Sequence, residues 1–447
     1  MAGRLFCRRN FVNLYHFSPK TSGDICTMIE FTLNFQTITI LLLSVMALSA
    51  ILVFPVYLRR IRRVSRYAAA HALDFDGVEI AAPEPEGETD TVNLGFAIEN
   101  EPSIEAAAAA GPASVVVYAQ DEAECLARLL PQLLGQQYEP GFEVIVVNEG
   151  GSEATADVVS AMATRHKNLY LTYTPDGARS LSRKKLALML GIKAAQHRVV
   201  VHTMATAQID SPLWLAAIMR NFADGSTEVV LGNAMPENTD RGLGSRRRTF
   251  DWAADATNWL TSALGGHPYR GTEYNIAYTR DLFFRNKGFS RSLNMRYGDD
   301  DIFVSEIANG ANTVVELSPE SLVRISFRNH KGGCREMAMR HEFTGRYISK
   351  ASRRLMALGG WLLWIMTGCG VAAGVLSFPN AIPAIAAFVV IVSMLWICSH
   401  TWSKEIQRLG GKKLALSLPW LIMMLPLRNL ALKIRARLHK HKYYSWC

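Results

Sequence analysis

The chain has 447 residues, 49% of them hydrophobic and 19% charged. That balance excludes a wholly disordered protein and a small disulfide scaffold. The seven cysteines are scattered without a C-x-x-C pair, which fits reduced thiols and argues against a structural zinc site. The net charge of +9 is concentrated at one end: ten Lys/Arg and one acid lie between Lys404 and Cys447, and the remainder is neutral. A nucleic-acid-binding protein more often spreads basic charge over a folded face, so no nucleic-acid partner is expected. A basic tail beside apolar segments instead suits anionic membrane lipid.

Residues 1–30 read as an irregular extension, within which Met28 offers a second start. Phe31 to Leu58 is an uncharged run of 28 residues, long enough at about 1.5 Å per residue to cross a bilayer with some tilt. Arg59, Arg60, Arg62, Arg63 and Arg66 follow it and predict a cytoplasmic exit. Residues 59–111 read as this basic stop followed by an acidic linker: ten acids fall between Asp74 and Glu105, and alanines 106–110 promise little core. Near the other end, Leu355 to Ser403 is an uncharged run of 49 residues, enough for two transmembrane passes within 355–403, with the turn at Pro379 and Pro383. Basic residues flank both its ends. Lys331 to Arg354 reads as an amphipathic helix on the cytoplasmic leaflet. The tail, 404–447, includes a short stretch from Leu414 to Leu427, broken by Pro419 and Pro426, that suits the membrane interface or a re-entrant segment.

Between these ends the texture is α/β. Apolar runs at 114–119, 142–148, 169–174, 199–203 and 229–232 read as strands. Amphipathic stretches at 122–134, 154–164 and 184–195 alternate with them, the last capped by Ser182. Pro212 opens a further helix, with Asp210 as its cap, and Asp281 is expected to cap another over 282–287. The pattern predicts a mostly parallel sheet with helices on both faces and ligands beyond the strands' carboxyl ends. Neither G-x-G-x-x-G nor a P-loop motif is present. Asp299, Asp300 and Asp301 enter an apolar helix. Like-charge crowding there would raise one pKa toward the range useful to a general base, against the plainer reading of a solvated helix start. His202 on the fourth strand reads as a core histidine. Trp252 and Trp259, seven residues apart, share one helix face that suits core packing or, alternatively, lipid or acceptor.

Five segments in order resemble a membrane-bound family-two glycosyltransferase of GT-A fold, over roughly 113–350. They are SVVVYAQDEAE (114–124), VVNEGGSEAT (146–155), RKKLALMLGIKAA (183–195), GTEYNIAYTRDLF (271–283) and YGDDDIFVSEIA (297–308). The resemblance makes 112–330 the GT-A glycosyltransferase domain. It implies inverting transfer of a sugar from a nucleotide-diphosphate donor to a lipid-linked or glycan acceptor, in polysaccharide or cell-envelope biosynthesis at the inner membrane, with the domain cytoplasmic. By match, Asp121 or Glu122 and Glu149 hold the donor's base and ribose. Lys184, Lys185 and Arg340 fall on the donor side, and Glu273 and Asn275 on the acceptor side. Asp300 or Asp299, within the trio that Asp301 completes, falls at the catalytic base.

Two departures qualify the resemblance. The family's D-x-D, which binds a Mg2+ or Mn2+ diphosphate, is replaced by Met204 and Thr206, leaving the metal ligands unknown. Its Q-x-x-R-W becomes Met337-Ala338-Met339-Arg340-His341, keeping the arginine alone. A thioether and a hydroxyl are poor ligands for a hard cation. Two readings remain open: a transferase whose basic side chains hold the diphosphate, or an inactive relative serving a binding or scaffold role.

Overall fold

The computed structural model describes residues 22–71, 101–174, 181–237, 242–326 and 333–438. Most of the N-terminal extension, the acidic stretch 72–100, Asp176-Gly177 and the end of the basic tail lie outside these residues. The uncharged run is helical, as α1 (Ser22–Val53), and one π-helical segment connects it to α2 (Arg59–His71). Two of the arginines of α2 work inside the fold: Arg60 donates to Ser352 Oγ at 2.6 Å and Arg63 to the carbonyl of Leu264. The alanine-rich stretch, read as spacer, is the helix α3 (Glu101–Ala109), with Ala107 and Ala110 buried and Tyr138 Oη donating to the Ala107 carbonyl. Alanine costs least of all residues to hold in a helix and lets another element approach closely, which is why this run docks.

The central domain alternates as the pattern predicts. β1 (Ala113–Ala119), α4 (Ala123–Leu134), β2 (Phe142–Asn148), α5 (Glu153–Ala163), β3 (Leu169–Tyr173), α6 (Arg183–Ala194) and β4 (Val199–Met204) come first. β5 (Ala207–Ile209), α7 (Trp214–Met219), β6 (Val229–Leu231), β7 (Ala234–Pro236), α8 (Leu243–Ala263) and β8 (Ile276–Thr279) follow. α9 (Arg280–Arg285), α10 (Ile302–Ile307), β9 (Thr313–Val315) and β10 (Val323–Ile325) complete the domain, with α3 packed on α7. The main sheet has the order β3-β2-β1-β4-β8-β6-β9. It is parallel except at β8, which runs antiparallel to both β4 and β6. Every residue of β1 and β4 is buried, as strands covered on both faces require. Gly191 lets α6 lie close on the sheet: a Cβ there would come within 2.7 Å of Val116 and Val147 methyls. A small sheet, β5-β10-β7, flanks the first.

Two expected caps differ. Thr279, already extended at the end of β8, caps α9 by accepting from Leu282 N, so Asp281 falls inside the first turn. Ser211 Oγ accepts from Leu213 N before α7, while the β5–β10 pairing brings Asp210 within 3.7 Å of Arg324 instead.

The C-terminal part contains α11 (Gly333–Thr344), α12 (Ala351–Leu376), α13 (Ala381–Arg408) and α14 (Leu418–Leu438). Phe35–His71, Ala351–Leu376 and Ala381–Arg408 are each long and apolar enough to cross a membrane. The chain divides into two compact units. The smaller joins α1 to residues 361–396. Its helices meet at small residues: a Cβ on Gly370 would come within 2.9 Å of both Met46 and Ile391. Ile40, Leu41, Ile51, Ile382 and Phe388 are exposed on it. In the larger unit Trp402 Nε1 donates to Tyr57 Oη at 3.0 Å, and Arg428 of α14 reaches Asp251 of α8 at 2.6 Å. α14 runs through Pro426 and packs on α11 and α8. Trp259 is core, and Trp252 Nε1 donates to the Ala234 carbonyl, so both rings of that pair serve packing.

One buried ion pair ties the helical layer to the sheet edge. Arg220 meets Glu316 through Nε at 3.1 Å and Nη2 at 3.0 Å, and Asn221 Nδ2 and Ser318 N also donate to that carboxylate. Arg220→Leu leaves Glu316 buried and uncompensated. The expected loss is about 3–5 kcal/mol, read as a lower denaturation midpoint of the detergent-solubilised protein.

Candidate active site

The carboxyl ends of β1, β2 and β4 carry the first part of the site. β1 aligns Tyr118 with Met204 of β4 and Ala119 with Asn148 of β2, so the residues beyond these strands share one rim. Tyr118 Oη donates to Glu149, Gln120 Nε2 lies 3.4 Å from its other oxygen, and Arg183 Nε lies 3.8 Å away. Burial first, then the hydrogen bond to Glu149 and its charge, hold the Tyr118 hydroxyl well above the usual tyrosine range. Asp121 sits exposed at φ +54, a left-handed conformation that costs a non-glycine residue about 1 kcal/mol. Its carboxylate accepts from Ser152 Oγ at 3.0 Å, which fixes the turn. Glu122 folds back toward Gln120 N.

The second part comes from α6 and the segments before β8 and α10. Lys184 Nζ hydrogen-bonds Glu273 and lies 2.6 Å from Asp299 Oδ2, with the Tyr118 ring centroid 5.5 Å away. Its side chain is only 14% exposed. Burial opposes the ammonium charge, but the two carboxylates outweigh it and raise its pKa above the usual lysine value. Beneath lies His202, 4% exposed, whose Nε2 has no hydrogen-bond partner among the described residues. Burial and then the Lys184 charge push its pKa down to about 3, so it stays neutral, as a core histidine does.

The aspartate trio divides into three environments. Asp299 faces Lys184. Asp300 lies 3.2 Å from His341 Nε2 and in the field of Arg270, whose Nη2 is 2.8 Å from Asp255. Burial alone would raise the Asp300 pKa; His341 and Arg270 reverse this and hold it low. Asp301, 0% exposed, caps α10 and accepts from Thr344 Oγ1 of α11. Burial first and the Asp300 charge second push its carboxyl up to about 6. One pKa of the trio is thus raised, first by burial and only second by crowding, on its most enclosed member. Arg340, next to His341 on α11, stacks 5.0 Å over the Tyr297 ring and pairs with Glu336 at 2.9 Å. Glu273 and Glu336 raise its pKa against the cost of burial.

Two sequence-predicted site residues belong to packing. Lys185 is 0% exposed, and its ammonium donates to the Ser292, Met295 and Tyr297 carbonyls and the Ser292 hydroxyl. Successive helix residues point about 100° apart, so Lys184 reaches the rim while Lys185 braces the 292–297 segment from within. Asn275, also 0% exposed, accepts from Trp214 Nε1 at 3.2 Å and donates to the Asn233 and Ser321 carbonyls. Tyr118, Arg183, Arg270 and His341 escaped the sequence reading. Only His341 left a signal, as the residue standing where the resembled motif has tryptophan.

A divalent cation beyond β4 would meet the Met204 sulfur and the Thr206 hydroxyl, and that hydroxyl is hydrogen-bonded to Tyr274. Neither is an anionic oxygen, so this strand end does not fit Mg2+ or Mn2+. Among the described residues no group of three His, Cys, Asp or Glu side chains is placed to hold a metal.

Two outcomes test these assignments. Asn275→Ala orphans three buried groups and should cost about 2–4 kcal/mol, measured as a fall in thermal stability in detergent. Asp301 has a folded pKa above its unfolded value, so its stabilising contribution is full below about pH 4 and fades as pH rises through about 6. Asp300, shifted the other way, loses its contribution only as pH falls below the usual carboxylate range. Asp301→Asn should therefore flatten the decline of stability between about pH 4 and 7 in denaturation midpoints.

Residues 114–297 match the model of glycosyl transferase family 2. Among solved structures the chain is similar to the mannosyltransferase PcManGT from Pyrobaculum calidifontis, in complex with GDP-Man and Mn2+. That match has 18% identity, a TM-score of 0.47, and covers 89% of this chain and 99% of that one. A glucosyl-3-phosphoglycerate synthase from Mycobacterium tuberculosis, in complex with Mn2+, UDP-glucose and phosphoglyceric acid, matches at 18% identity and a TM-score of 0.36. It covers 62% of this chain and 85% of that one. S. aureus TarS in complex with UDP-GlcNAc matches at 14% identity and a TM-score of 0.36, covering 74% and 92%. No curated protein sequence matches. With the strand order, the match over 114–297 gives this chain a family-two glycosyltransferase domain of GT-A fold.

Proposed function

We propose that this transferase is anchored in the cell membrane with its catalytic domain cytoplasmic, and that it moves a sugar from a nucleoside-diphosphate donor to a lipid-linked or glycan acceptor with inversion. The observation that carries the reading is the convergence of Lys184, Glu273 and Asp299 beside the ends of β1 and β4. Glu149 at the end of β2, with Asp121 and Glu122, serves the nucleoside, since a carboxylate accepts from base N–H and ribose hydroxyls. Arg340 and Lys184 serve the diphosphate. Arg59 to Arg66 and the basic residues around 355–403 support a cytoplasmic face. Trp420, Leu427, Leu430, Ile434 and Leu438 are exposed along α14, beside Lys433, Arg435 and Arg437, which suits contact with anionic lipid.

Asp299 is the proposed base. Asp300 is engaged by His341, and Asp301 is enclosed by its cap and by Thr344. The acceptor oxygen attacks the anomeric carbon from the face opposite the leaving group. Its proton passes to the Asp299 carboxylate, and the anomeric C–O bond breaks with its electron pair going to the phosphate oxygen. Glu273 lies on the acceptor side. The second reading, an inactive relative with a binding role, draws on Met204 and Thr206 in place of the D-x-D acids.

Titration calorimetry of the detergent-solubilised protein against UDP- and GDP-sugars tests donor binding, and heat on addition of at least one is expected. Asp299→Asn should reduce turnover on the order of 100- to 10,000-fold while donor affinity is retained. Full turnover in that variant would remove its role as base. Donor binding with no turnover in the native protein favours the second reading.

A further inference from the structure

We propose that this site handles the donor's diphosphate without a divalent cation, and that Lys184 is its resident positive charge, shared between Glu273 and Asp299 and passed to the phosphates as the donor seats. The inference rests on the donor reading of the site and adds how the charge is met.

Three observations carry it. The end of β4 presents a sulfur and a hydroxyl, the latter already bonded to Tyr274, where a hard cation needs anionic oxygen. Two carboxylates stand near, on Glu273 and Asp299, and both close on one ammonium. A metal between them would have to displace Lys184, and two cations do not share that space. Third, charge is conserved only if acids and metal are lost together. Two aspartates with one divalent ion sum to zero, as do Met204 and Thr206 with none.

The arrangement also links donor binding to the base. With the ammonium against Asp299, that carboxylate is held as an ion-pair partner. When phosphate oxygens take over the ammonium, Asp299 is released to receive the acceptor's proton. The bonds made and broken are those of the transfer itself: C–O forms to the acceptor, C–O breaks to the phosphate, and the proton goes to Asp299. Lys184 remains protonated and stabilises the leaving diphosphate by charge. Arg340, across the site on α11 and in the field of Glu273, is the second cation.

The test uses the full chain in detergent, with UDP, GDP and Mn2+ as probes. Nucleotide affinity by calorimetry should agree within about 3-fold between EDTA and Mn2+. Lys184→Ala should weaken nucleotide binding in EDTA on the order of 10- to 100-fold, and Lys184→Arg should recover part of it. Electron paramagnetic resonance provides an arm that needs no nucleotide. The native protein should hold no stoichiometric Mn2+, whereas Lys184→Ala leaves Glu273 and Asp299 facing one gap and should gain a Mn2+ site that Glu273→Gln removes. Nucleotide binding that requires Mn2+, stoichiometric Mn2+ on the native protein, or an unchanged affinity in Lys184→Ala would each overturn the proposal. If neither nucleotide binds the native protein under any condition, the donor reading fails, and the resonance arm still decides which cation the carboxylates hold.

Discussion

Two partly buried carboxylates from distant parts of the chain close on a single ammonium, and the rim of this domain is organised around that contact. Glu273 arrives just before β8, Asp299 just before α10, and Lys184 on the first turn of α6. None of the three could be enclosed alone, because an unpaired charge in such a place costs several kcal/mol. Each is therefore a condition for the other two, and Tyr118 and His202 pack where the triad leaves room for neutral groups. The sheet makes the meeting possible: β8 runs antiparallel beside β4 and returns its preceding segment to the end where β1 and β4 finish.

The aspartate trio shows how neighbouring carboxylates acquire different duties from their surroundings. Lys184, His341 with Arg270, and the α10 cap with Thr344 each take one member. Repulsion between adjacent acids is relieved by distributing them among three partners, and the member without a cation carries the raised pKa. That carboxyl is the least accessible of the three, so an elevated pKa alone would point away from the rim. Exposure and the identity of the partner are the better guide here.

The strands, the Ser182 cap and the apolar helices were legible in the sequence because they are local: a β-branched run, one hydroxyl ahead of a helix, an uncharged stretch of membrane length. The duties of adjacent residues were not. Lys184 and Lys185 read alike, yet one helical step of about 100° sends the first to the rim and the second into four hydrogen bonds within the domain. Asn275 stands in a segment that resembles the acceptor side, but its amide bridges Trp214, Asn233 and Ser321, three partners far apart in sequence. The alanines 106–110 lack the large side chains by which a core is recognised, and they dock because small residues permit close approach. In each case the missing information was the direction of a side chain relative to an element distant in the chain.

α11 braces the acid segment of the site. His341 grips Asp300, Thr344 grips Asp301, and Arg340, next to His341, stands over Tyr297 in the field of Glu273. One helix thus holds two members of the aspartate trio and carries the second basic group of the proposed diphosphate site. A displacement of α11 would loosen the trio and withdraw Arg340 in the same movement. The replacement of the motif's tryptophan by His341 acts in this direction. The imidazole Nε2 lies 3.2 Å from Asp300 and so ties the adjacent Arg340 to the acid segment. Where the strand-end acids are missing, a rigidly placed arginine gains importance, because the charges that remain must be correctly positioned before the donor arrives.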